Sequence, residues 1–109
     1  MNLDISSITE TMTGAVRHAI GERWSVIRAV AEPELRKLAQ TLEDVQQMYA
    51  SGEINSSHAS QLVEMQRNAA VSVLRTVEGL GILTARAAID SAAHAVADVV
   101  NRVTGIKLL

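Results

Sequence analysis

The sequence predicts an all-α protein: a long antiparallel helical hairpin that dimerises into a four-helix bundle. Three observations predict it. Apolar residues recur at three- and four-residue steps over almost the whole chain, a single clear turn surrounds Gly52 near the middle, and the two halves match in character when folded about that turn. The chain reads as one domain, residues 1–109, with a helical arm over about 4–51, a turn at 52–55 and a second arm over about 56–104.

The first arm carries Ile5, Ile8, Met12, Ala15, Val16, Ala19, Ile20, Trp24, Ile27 and Val30 on one stripe. Asp4, Ser6 and Ser7 are all candidate caps at its start, and Glu10 suits the positive end of the helix dipole. Beyond Pro33, the residues Leu35, Leu38, Leu42, Val45 and Tyr49 keep a 3-4-3-4 spacing, which is a coiled-coil seam. That seam projects backwards past the earlier stripe, so the arm is expected to kink or break near Pro33. In the turn, Gly52 can take the left-handed conformation that closes a helix, and Asn55 or Ser56 can cap the next one behind Ile54.

From Ser57 to about Thr104 only Gly79 and Gly81 interrupt the helical pattern. Each costs about 1 kcal/mol in a helix interior without ending it. Residues whose numbers sum to about 107 match: Val45 with Leu62, Leu42 with Met65, Leu38 with Ala69, Ile20 with Ala87, Ala15 with Ala92 and Ile8 with Val99. In this register Trp24 falls near Leu83, and the two glycines are read as a notch for its indole. Arms of nearly fifty residues would each reach on the order of 70 Å. The second arm then has more apolar surface than one seam can cover, and Ile89, Ala93, Val96, Val99, Val100 and Val103 are assigned to an interface with a second copy.

Composition narrows the function classes. The 109 residues include one Trp, one Tyr and no Phe, so the core must be aliphatic, yet 48% of the chain is hydrophobic. A net charge of -2, with ten scattered Lys and Arg, argues against a nucleic-acid partner. With no Cys there is neither a disulfide framework nor a thiolate metal site, in keeping with a cytoplasmic location. Met1 to Ser7 lacks the basic start of a secretory signal, and no run of apolar residues is long enough to form a transmembrane segment.

Few residues suggest chemistry. Arg86, Asp90, His94, Asp98 and Arg102 recur at four-residue steps; they could present a histidine between two carboxylates, but read more simply as a solvated ladder of intrahelical pairs. His18 with Glu22 and Glu10 lacks the Glu-x-x-His pairing of a bundle metal site, and His58 beside Tyr49 reads as an exposed early-turn residue. Met12, Met48 and Met65 fall on or near the apolar stripes and are assigned to core packing. Phosphate loops and nucleophile elbows are absent from the sequence. The expectation is a non-enzymatic structural or interaction protein, without a cofactor or metal, homo-oligomeric and serving as scaffold, adaptor or assembly factor, with a further protein partner allowed. The alternative is an amphipathic protein that lays its Ala- and Val-rich face on lipid or another hydrophobic surface, a peripheral contact. Small secreted helical hairpins share the length and central turn, but their Trp-x-Gly motif is replaced here by Tyr49-Ala50-Ser51-Gly52.

Overall fold

The computed structural model describes residues 3–109, so Met1 and Asn2, two of the positions read for a secretory leader, lie outside the described residues. Those described contain four α-helices and no strand: α1 (Ile5–Ile20), α2 (Trp24–Ala50), α3 (Ser56–Leu74) and α4 (Ile82–Thr104). Asp4 starts α1, its Oδ1 accepting the Ser7 N–H at 3.1 Å, and this choice among the three candidate caps satisfies one of the orphan first-turn donors. Ile8, Met12 and Val16, four residues apart, form the buried stripe of α1.

The first arm does break, but at Gly21 rather than at Pro33. Gly21 has φ 68° and ψ -131°, a conformation open mainly to glycine, and a single 3₁₀ turn, Gly21–Arg23, then reverses the chain into α2. Pro33 lies inside α2 and does not end it. Both Pro33 and Ala29, whose carbonyl loses its amide partner to the proline, are solvent-exposed, so water can satisfy that carbonyl. A Cβ at Gly21 would meet nothing within 4 Å, so only the backbone conformation opposes a side chain there. Gly21→Ala is expected to destabilise the fold by about 1–3 kcal/mol, measured by urea denaturation.

The central turn follows the expected chemistry. Gly52 takes φ 80°, the Glu53 N–H bonds to the Met48 carbonyl at 2.9 Å, and the Gly52 N–H bonds to the Tyr49 carbonyl at 3.1 Å, which together close α2 with a Schellman motif. Asn55 caps α3, its Oδ1 accepting the His58 N–H at 2.8 Å, while Ile54 packs half-buried against the core.

The second arm also breaks. Helix α3 ends at Leu74, residues 75–81 form a loop in which Gly79 has φ 81° and Leu80 is buried, and α4 begins at Ile82. The two breaks are tied to one another: Arg23 donates from Nη1 to the Gly79 carbonyl at 2.6 Å and from Nη2 to the Glu78 carbonyl at 2.9 Å. A Cβ on Gly79 would stand 3.2 Å from Arg23 Nη2, so the small residue serves the approach of this guanidinium. That corrects the expected notch for Trp24; the indole is half-buried, and Leu83 lies 80% exposed.

Each arm therefore doubles back at the same level, and the expected 70 Å hairpin is replaced by a body of 42 × 22 × 18 Å. Its long axis matches the roughly 40 Å of the 27-residue α2. Helix α1 lies chiefly against α4 and alongside α2, α2 lies against α3, and α3 meets α4 more loosely. The result is an antiparallel bundle of four helices built by one chain. Its radius of gyration, 13.6 Å, is close to the roughly 13 Å of a globular domain of this length.

One aliphatic core runs through the bundle, with Met12, Ile27, Leu35, Leu38, Leu42, Leu74, Ile89 and Val96 among its fully buried side chains. The accessible surface is 6162 Å², against about 5,900 Å² expected for a monomer of this mass. Most of the apolar surplus in the sequence is thus covered by α1 and α2 of the same chain. Two buried carboxylates on α2 are both engaged: Glu43 accepts the Leu3 N–H at 2.8 Å and the Gln47 side chain at 2.6 Å, and Glu34 pairs with Lys37 at 3.1 Å. The Glu43 contact pins the segment before α1 across α2.

Candidate functional surface

The outward face of α4 carries the residues that the sequence singles out, because the opposite face, with Ala85, Ala88, Ala92, Val96 and Val100, is committed to the core. All five ladder residues, Arg86, Asp90, His94, Asp98 and Arg102, are exposed. Asp90 leaves the intrahelical pattern and pairs with Arg67 of α3 at 3.0 Å, bridging the sparsely packed α3–α4 seam. Four-residue spacing predicts which successive ladder residues are neighbours on the helix surface, but the cross-helix partner depends on the fold.

The six residues assigned to a second copy divide by burial. Ile89, Ala93, Val96 and Val100 are buried within the chain itself, and Val103 is half-buried. Val99 alone of the six is exposed, at 40%. The sequence shows how apolar α4 is but not that α1 folds back over it, and this is why core positions resembled an interface.

A different row on α4 faces solvent. Leu83, Ala87, Ala95 and Val99 are exposed and Ser91 is half-buried, all at four-residue steps, and from Ala87 onward each directly follows a ladder residue. Small residues fill the middle of this row, and the larger apolar residues stand at its ends. Ile82 and Val26, exposed at 43% and 65%, lie toward the end of the bundle where Arg23 holds the 75–81 loop.

Comparison with protein-family models, curated proteins and solved structures finds no match to this chain. Its own residues are therefore the guide to its surface.

The remaining candidates are dispersed. His18, Glu22 and Glu10 are exposed on or just after α1, and His58 is exposed at the start of α3. Among the described residues, no three His, Asp or Glu side chains are placed to hold a metal ion together. Met12 is in the core and Met48 packs half-buried against it, but Met65 is 66% exposed, which corrects its assignment to the core. Met65 borders a shallow groove between α2 and α3 that Leu62 and Met48 also line. A second groove, of about 280 Å³, follows the α3–α4 seam and is closed at one end by residues 107–109. Asn101 holds that tail in place, its Oδ1 accepting the N–H groups of Leu108 at 2.8 Å and Leu109 at 3.0 Å. Among the described residues, no helix is long and apolar enough to cross a membrane.

Proposed function

We propose that this chain is a non-enzymatic structural or interaction protein, a small helical bundle that self-associates and acts as a scaffold, adaptor or assembly factor. The observation that supports this reading is the exposed row on α4. In a bundle whose total surface is close to that expected of a monomer, Leu83 at 80% and Val99 at 40% exposure remain uncovered at the two ends of a row that winds along α4, and a regular charge ladder borders that row. Exposed apolar positions bordered by ordered charge suit recognition of another helical surface. By contrast, apart from the buried and engaged Glu34 and Glu43, the titratable side chains are spread over separate outer faces, an arrangement that serves surface recognition better than catalysis.

The test is the solution mass, measured by size exclusion with light scattering over a wide range of protein concentration in plain buffer. A mass that rises toward twice that of the chain supports self-association. A constant monomer mass, together with co-sedimentation with lipid vesicles, overturns it in favour of a peripheral lipid contact.

A further inference from the structure

We infer that two copies of this chain join by exchanging halves: the α1–α4 pair of each copy leaves its own α2–α3 pair and packs on that of the other. The inference rests on the self-association proposed above and specifies how it is reached.

The bundle divides where exchange requires it. Helix α1 makes its most extensive contact with α4, and α2 with α3, so the molecule consists of two helix pairs. Only two connections cross from one pair to the other, Gly21–Arg23 and residues 75–81. Both lie at one end of the bundle, where Arg23 ties them together through the Gly79 and Glu78 carbonyls at 2.6 and 2.9 Å. The pairs can therefore part about that end as two bodies on two adjacent hinges, while the Gly52 turn stays closed inside the α2–α3 pair. The first hinge is short, three residues, and is held by Gly21 at φ 68° and ψ -131°. A short connection kept in such a conformation favours exchange, because opening releases it and the packing it had closed is regained from a second copy.

The hinge end also carries apolar surface that the closed chain leaves without cover. Ile82, 43% exposed, stands seven residues before the buried Ile89, two helical turns away on the same face of α4. It points along the core and is exposed because the bundle ends there. Ile20, Trp24 and Val77, at the same end, are half-buried. A three-residue hinge reaches about 10 Å at full extension, so the two bundles of an exchanged dimer are held end to end at their hinges. Each end then shields the other. Inside each bundle the contacts between the pairs re-form between copies: Arg67 of one chain meets Asp90 of the second at the 3.0 Å now seen within one chain. The exposed α4 row stays outside the joint, displayed once on each bundle.

The experiment uses the absence of cysteine from the chain. Arg67→Cys and Asp90→Cys are combined in one full-length variant, at positions solvent reaches, where circular dichroism should show unchanged helix content. The protein is refolded from urea at low and at high concentration, so that closed and exchanged forms equilibrate, then diluted and joined at once with a short bismaleimide. In a closed bundle the two thiols belong to one chain, and in an exchanged dimer they belong to two. Denaturing gel electrophoresis should show a covalent dimer that grows with refolding concentration in step with the mass from light scattering. Gly21→Ala should promote it. A closed copy disfavoured about tenfold by the left-handed φ counts twice in a dimer, so the dissociation constant should fall on the order of a hundredfold. Two results would overturn the inference. If the mass doubles while the link stays within single chains, the copies associate as closed bundles, and exchange fails while self-association stands. If the wild type keeps the mass of one chain at every concentration, the self-association reading fails and exchange fails with it.

Discussion

Val96→Asp is expected to unfold the protein, whereas the same change three residues later at Val99 leaves the fold intact. Val96 is 1% exposed, on the core face of α4. An aspartate there would have to be charged without a partner or take up a proton inside an aliphatic core, and an unpaired buried charge costs several kcal/mol even after relaxation. Domains of this size have only about 5–15 kcal/mol of stability in total. Far-UV circular dichroism of Val96→Asp should therefore show most of the helix lost at room temperature. Val99 is 40% exposed, and an aspartate there remains hydrated, so its cost to folding should stay within about 1 kcal/mol. The same pair of variants thus separates core from surface on a single helix, and a Val96→Asp protein that melted like the wild type would show that α1 does not cover α4.

Leu38→Ala carries the second largest expected effect. Leu38 lies mid-way along α2, fully buried in a core whose buried side chains are all aliphatic or methionine. Removing three side-chain carbons from such a site costs about 2–5 kcal/mol, the upper part applying where the surrounding chain cannot collapse. With each kcal/mol worth roughly 4–8 °C in a domain of this size, the melting temperature should fall by on the order of 15 °C or more. Leu83→Ala removes the same atoms from a side chain that is 80% exposed, so its melting temperature should stay within a few degrees of the wild type. Thermal melts of the two variants side by side test whether the cost follows burial or merely the residue type.

Local chemistry is the part of this fold that is readable in advance. The Gly52 closure, the Asn55 cap, the Asp4 cap and the helical character of all four segments depend on residues within a few positions of one another, and each appears in the structure. The two chain reversals are a different matter. Gly21 and Gly79 have the same composition signal as any tolerated helix glycine, and what makes them turns is the packing of α1 on α4 together with the Arg23 guanidinium that spans the two loops. Pro33 sends the stronger sequence signal, yet its exposed position on α2 lets the helix continue through it. The match between residues summing to about 107 is compatible with either shape, because doubling both arms back at one level keeps α1 opposite α4. Pairing by character shows which segments are partners but not whether the pair lies straight or folded in half. For the candidate surface, the ladder is readable from its spacing, but the exposed row beside it becomes visible only once the core face of α4 is known.

The pairing of α1 with α4 also orders the events of biosynthesis. Helices α2 and α3 are neighbours in sequence and can close around Gly52 as soon as both have left the ribosome. Of the four helices α1, with its Ile8, Met12 and Val16 stripe, is made before the others, but its main partner α4 emerges after α2 and α3, so the contact between them is long-range in sequence. Local contacts form early and such end-to-end contacts form late, since the intervening chain must first be ordered. A nascent chain halted before Ile82 would therefore hold a closed α2–α3 pair with the α1 stripe still exposed, the state in which this protein is most open to chaperones and to misassembly.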